Sequence, residues 1–157
     1  MDDSMKRKIV SILDAHRVMT IATLRPDGWP QATTVGYVNE GLTLWFLCSK
    51  DSQKASNLGL DDRVSITIDH DTPDILAITG LSMAARAQRV SDQAEAQKVI
   101  EMMPLKYPDA SPKTAALEMP KPEEVAVFRV TPLVTSVLDY SLGFGHTDLV
   151  QHSQDQA

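Results

Sequence analysis

A single cysteine, Cys48, stands in this chain of 157 residues, so no internal disulfide can form and nothing requires an oxidising compartment. Long apolar runs are missing too. The N-terminus, Met1 to Lys8, leads into amphipathic sequence, which excludes a secretory signal and a membrane span and gives the expectation of a soluble, cytoplasmic protein. Lys/Arg runs interleaved with aromatics are absent and the net charge is -6, which argues against nucleic acid as a partner. The seven glycines never approach GxGxxG or GxxxxGK spacing, so Rossmann and P-loop nucleotide binding have no support. His16, His70, His146 and His152 are scattered, and no Cys/His or HExxH spacing suggests zinc; no metal site is expected.

What is present is patterned apolar sequence. With 43% hydrophobic residues the chain has the size and composition of one domain over 1–157, with 147–157 expected as a flexible tail. Met5, Ile9, Ile12, Leu13 and His16 fall on one helical face, with Ser4 as a cap. Val18 to Leu24 reads as a strand, Arg25-Pro26-Asp27-Gly28 as a reversing turn, and Gln31 to Val38 as the returning strand. Asn39-Glu40-Gly41 turns the chain into Leu42 to Cys48, so the sheet is expected to grow as an antiparallel meander. Leu44 to Leu47 is apolar at every position, which requires cover on both faces from a barrel core and from a helix or partner chain.

Arg63 to Asp69 alternates strictly, and Ile75 to Val90 is long enough for a bent strand with Gly80 at the bend. Asp92 with Glu95 has the spacing of a capping box before a helix that stops at Pro104. Five prolines between 104 and 122 then confine the chain to loops and a short helix near Thr114 to Glu118, before Glu124 to Asp139 returns as a strand interrupted at Pro132.

The chemistry concentrates where Leu42 to Cys48 runs into Ser49-Lys50-Asp51-Ser52-Gln53-Lys54. A helix start offers unpaired N–H groups and the positive end of the dipole, with Ser49, Ser52, Lys50 and Lys54 around it, so this junction can hold a phosphate; Asp51 or Ser52 can equally serve as a plain N-cap. Hydroxyls of Thr33 and Thr34 are candidates to join Lys54 there. Cys48 is either a thiolate nucleophile or a small hydrophobe, and no histidine near it in sequence could act as its base.

The ordered segments Ala22-Thr23-Leu24-Arg25-Pro26-Asp27-Gly28-Trp29-Pro30-Gln31, Leu44-Trp45-Phe46, Ser52-Gln53-Lys54-Ala55-Ser56-Asn57-Leu58 and Asp62-Arg63-Val64-Ser65 resemble the pyridoxamine-phosphate-oxidase-like FMN-binding split barrels. The resemblance runs from about residue 16 to 90, with Val127 to Asp139 similar to the closing strand. It implies a mainly β fold, an antiparallel split β-barrel with peripheral helices. It also implies a homodimer with FMN in a groove between the subunits. Lys54 matches the family lysine at the phosphate; Gln53 stands where many members have arginine, and Thr33 falls about where true oxidases place another.

On the same resemblance, Leu47, Cys48 and Ser49 run beside the ring system, while Val35 and Gly36 offer backbone groups to its polar edge. Gly36 has a second reading, as a barrel bend. The segment Tyr140 to His146 either closes over the partner subunit's flavin through Tyr140, Phe144 or His146, or packs on its own barrel. The function implied is an FMN-dependent oxidoreductase that takes hydride from a nicotinamide or other donor and passes electrons to an unidentified small molecule. Alternatives are a non-catalytic flavin-binding or stress-associated protein, a deazaflavin-dependent reductase, and a barrel for some other small ligand.

Overall fold

The structure is a computed structural model and describes residues 1–153. Eight strands form one antiparallel sheet, β1 (Val18–Leu24), β2 (Pro30–Gly36), β3 (Val38–Glu40), β4 (Thr43–Ser49), β5 (Arg63–Asp69), β6 (Thr79–Arg89), β7 (Val125–Asp139) and β8 (Thr147–Gln151). The helices are α1 (Asp3–Ala15), α2 (Gln53–Leu60), α3 (Gln93–Met102) and the single turn α4 (Pro112–Ala115). Asp2, and not Ser4, caps α1: its carboxylate accepts from the Met5 amide at 2.8 Å and from the Ser4 hydroxyl.

The strand order is β2-β1-β5-β6-β7-β4-β3, with β8 added to β7. It is not the expected meander. β1 and β2 pair across the Asp27-Gly28 turn, but β4 pairs with β7, some eighty residues away, and not with its neighbours in that first hairpin. The two ends of the path, β2 and β3, are separated in sequence by Tyr37 alone. A sheet whose opposite edges are tied by one residue must curl on itself, and the result is the expected antiparallel split barrel.

Tyr37 secures that seam. Its ring is buried at 1% exposure, its hydroxyl donates to the Leu13 carbonyl at 2.7 Å, and burial pushes its pKa well above the ordinary phenol value. The Lys106 ammonium lies 4.7 Å from the ring centroid and donates to the Leu13 and His16 carbonyls and to Asn39 Oδ1. These carbonyls close the C-terminus of α1, so a proline-bounded loop supplies the cation that the helix end favours. Burial among these groups holds the Lys106 pKa below its ordinary value.

Inward residues of the strands, among them Ile21, Phe46, Ile66, Leu81, Met83 and Phe128, fill the barrel with Ile9 and Leu13 of α1 and Leu58 of α2. α1 lies at the end marked by Tyr37, and α2 at the opposite end, where Asn57 reaches Thr23. The strand that is apolar on both faces is satisfied within one chain: Leu44 and Phe46 face the barrel, while Trp45 and Leu47 pack under α3 with Val38, Val99 and Val127. The expected capping box at the start of α3 does not form. Asp92 caps Ala94, and Glu95 instead accepts from Trp45 Nε1 and Arg129 Nε, both at 2.8 Å.

β7 serves two neighbours along one edge, β4 over Val125–Val130 and β8 over Val134–Leu138. Pro132, which has no N–H, and the unmatched Leu133 sit at the changeover, opposite the register shift at Ala84/Ala85. Residues 147–151, expected as tail, are therefore strand, and their pairing with β7 is the reason; residues 154–157 of that expected tail lie outside the described residues. Gly80 belongs to the β5–β6 ladder, where an added Cβ would meet the Ile68 carbonyl oxygen at 2.7 Å. No helix among the described residues is long and apolar enough to cross a membrane.

Candidate functional site

The barrel is split between β2 and β4. Over residues 46–49 one edge of β4 has no partner strand, because β3 pairs only with Thr43 to Trp45, and the outer edge of β2 is likewise unpaired. These two edges approach each other without a ladder between them, and the Ser49 carbonyl at the end of β4 accepts instead from the Ser52 amide. The start of α2 stands where β4 ends.

At that start Ser52 is the N-cap. Its Oγ accepts from the Ala55 amide at 3.1 Å and donates to Cys48 Sγ at 3.4 Å, and Ser49 Oγ accepts from the Asp51 amide. Both serine hydroxyls and the thiol are thus engaged in shaping the turn, which settles the N-cap in favour of Ser52 over Asp51. Among the described residues the Gln53 and Lys54 amides find no protein acceptor, as expected for the first turn of a helix. Lys54 makes no salt bridge there; its Nζ lies 6.0 Å from the Phe46 ring centroid.

A buried polar cluster fixes α2 against the β1–β2 hairpin. Asn57 is wholly buried, and its Nδ2 donates to Thr23 Oγ1 at 3.0 Å and to Gln31 Oε1 at 3.3 Å, while its Oδ1 accepts from Gln53 Nε2 at 2.8 Å. All its hydrogen-bonding capacity but one acceptor position is used. Thr23, Gln31 and Asn57 were not among the residues expected at the site. The i,i+4 spacing of Gln53 and Asn57 was the one sequence signal, and Thr23 and Gln31 emerge only from the hairpin pairing.

Alternation on β2 separates the two threonines. Thr33 points inward with Gln31 and Val35, whereas Thr34 lies exposed on the other face, so the pair cannot act on one ligand from one side. Thr33 Oγ1 is buried and has no hydrogen-bond partner. A buried hydroxyl left unpaired costs about 1–3 kcal/mol, so Thr33 has hydrogen-bonding capacity that no neighbouring protein group uses. Gly36 is not a point of tight approach within this chain, since an added Cβ would meet the Arg17 carbonyl and the Tyr107 hydroxyl only at 3.8 and 3.9 Å.

The structure brings Thr33, Val35, Gly36, Leu47, Cys48, Ser49, Ser52, Gln53 and Lys54 onto the split and the turn beside it, although the Leu47 side chain faces α3. Tyr140, Phe144 and His146 lie elsewhere. One end of β7 pairs Val125 with Ser49, and these three follow the opposite end. There Tyr140 and Phe144 pack edge to face at 5.5 Å, and His146 Nε2 lies 3.1 Å from Asp148 Oδ2. Phe144 is 75% exposed, and Leu142, Leu149, Ile75 and Leu76 are exposed around the same end.

Comparison with known proteins agrees with this architecture. Residues 5–136 match the family model described as pyridoxamine 5'-phosphate oxidase. General stress protein 26 of Bacillus subtilis is 30% identical over 67 residues, 43% of this chain; the match spans 47% of that relative's length. A conserved hypothetical protein from Mycobacterium tuberculosis superposes with a TM-score of 0.71 at 25% identity, covering 98% of this chain and 94% of that one. A heme-binding protein from Mycobacterium smegmatis shares the fold with a TM-score of 0.71 at 23% identity, covering 96% of this chain and 59% of that one. An antiparallel split barrel and a family match over most of the chain converge: this chain belongs to the pyridoxamine 5'-phosphate oxidase family.

Proposed function

We propose that the chain is an FMN-binding oxidoreductase that holds the cofactor phosphate at the start of α2. The observation that carries this reading is the combination of two unpaired amides and the unpaired Lys54 ammonium at that helix start with the orphaned Thr33 hydroxyl on the facing strand. These groups fit a phosphate ester. The unpaired edges of β2 and β4 offer backbone groups of Val35, Gly36 and Cys48 to the polar rim of a flat ring, while Ser49 closes the turn through its carbonyl. When bound, the flavin supplies hydride and electron transfer, and the protein supplies binding and orientation.

A homodimer is part of the same proposal. Its support is no longer the two-faced β4, which α3 covers, but the uncovered outer face of β1, β2, β5 and β6, lined by Thr20, Thr34, Ser65, Thr67 and Ser82, together with the exposed apolar group around Phe144. Tyr140, Phe144 and His146, remote from the split of their own chain, would then serve the partner's cofactor.

A second reading, flavin binding without turnover, is favoured by Gln53, whose amide is held by Asn57 and contributes no charge at the phosphate. The two part on one experiment. Anaerobic addition of NADH or NADPH to the FMN-loaded protein should bleach flavin absorbance in the oxidoreductase. Protein that binds FMN but stays oxidised with each donor supports binding alone, and protein that takes up heme while refusing FMN removes the flavin reading altogether.

A further inference from the structure

The fold joins two histidines that lie 54 residues apart in sequence. His16 is the C-cap of α1 and His70 follows the last residue of β5, and their Nε2 and Nδ1 atoms face each other at 3.4 Å. We propose that His16 and His70 form a binding site for a transition-metal ion of imidazole preference, Zn2+, Cu2+ or Ni2+, which bridges α1 to the end of β5.

Three features carry this. First, two imidazole nitrogens bound to one tetrahedral ion at ~2.05 Å are separated by ~3.4 Å, the spacing found here. Second, His16 Nδ1 lies 2.7 Å from the Ile12 carbonyl, an acceptor that can only be served by N–H, so the proton sits on Nδ1 and the lone pair on Nε2 faces His70. A backbone carbonyl fixing the tautomer is the usual outer-shell support of a metal-ligating histidine. Third, the ring centroids are 5.6 Å apart, against ~5.2 Å for two imidazoles on a tetrahedral ion. A small rotation of His70, which is exposed, closes that difference.

Without the ion, the same atoms make a long N–H to N hydrogen bond from His70 to His16. Binding puts the metal in place of that proton, which moves from His70 Nδ1 to the Nε2 of the same ring, so both imidazoles ligate in their neutral form. Among the described residues no third His, Cys, Asp or Glu joins the pair, so water completes the coordination. Oxygen-preferring ions such as Mg2+ have no ligand set here. The site lies at the α1 end of the barrel, whereas the proposed phosphate position is at the start of α2, which closes the other end.

The test is titration of the intact chain with Zn2+, Cu2+ and Mg2+, read by calorimetry, by thermal midpoint and, for Cu2+, by electron paramagnetic resonance. One Zn2+ or Cu2+ per chain is expected, a two-nitrogen signal for copper, and a midpoint raised by about 5 °C at hundredfold excess over the dissociation constant. His70→Gln should lower affinity about tenfold or more with the apo midpoint little changed, and His16→Gln should do the same. His146→Gln should bind as the parent chain does. A parent chain that takes up neither Zn2+ nor Cu2+, a His70→Gln variant with parental affinity, or an equal response to Mg2+ would overturn the proposal.

Discussion

Gln53 Nε2 donates to Asn57 Oδ1 across 2.8 Å, one turn along α2, so a side chain at the helix start proposed to hold the phosphate already has a partner inside the protein. An arginine at 53 could not make the same neutral pair and would add a charge at the helix start. Gln53→Arg is therefore expected to tighten FMN binding roughly tenfold or more, the return on one charge-assisted hydrogen bond. Fluorescence titration of the two proteins with FMN measures it, and equal affinities would place the phosphate away from residue 53.

Asn57 is the fastener between α2 and the first hairpin. Asn57→Ala leaves the Thr23 hydroxyl and the Gln31 carboxamide without their donor in a buried setting and opens a small void. A loss of about 1–3 kcal/mol is expected in urea denaturation. A change below ~0.5 kcal/mol would show that α2 is held by Leu58 packing alone.

Much of this was readable from local pattern and the rest was not. The limits of β1 and β5 follow from apolar β-branched sequence and strict alternation, properties carried by the residues themselves. The pairing of β4 with β7 is set by which surfaces meet across eighty residues, so the meander was the wrong extrapolation from a correctly placed hairpin. At the split, the helix start and its lysine could be read because both sit in one short segment. Opposite orientations of Thr33 and Thr34 required the register of β2, and Glu95 left its expected capping role because Trp45 and Arg129 come within reach only in the folded chain.

Glu95 also sets an acid limit. Its contact with the Arg129 guanidinium, aided by the Trp45 N–H, holds its carboxyl below the ordinary value of 4.5 against the opposing effect of burial. A folded-state pKa below the unfolded one contributes stability that is full above the unfolded value and lost as pH falls through the folded value. Glu95→Gln should therefore be destabilised relative to the parent near neutrality, and the gap should narrow below pH ~4. Denaturation midpoints across that range decide it; a gap independent of pH would mean that the ion pair contributes nothing.

Two glycines give opposite expectations. Gly80→Ala drives a Cβ into the Ile68 carbonyl and should cost about 1–3 kcal/mol, while Gly36→Ala meets only ordinary contacts and should change stability by less than ~0.5 kcal/mol. If Gly36→Ala nonetheless weakens flavin binding, the ligand itself approaches that backbone. Thermal denaturation paired with FMN titration separates the two effects.

Comparison of FMN with riboflavin, which lacks the phosphate, probes the start of α2 most directly when both are titrated into the parent chain and into Lys54→Ala. Phosphate recognition by Lys54 and the free amides predicts that the parent prefers FMN by at least about tenfold, and that the preference largely disappears in Lys54→Ala while riboflavin affinity is unchanged. Equal affinity of the parent for the two flavins, or a preference for FMN that survives in Lys54→Ala undiminished, would contradict the placement of the phosphate at this helix.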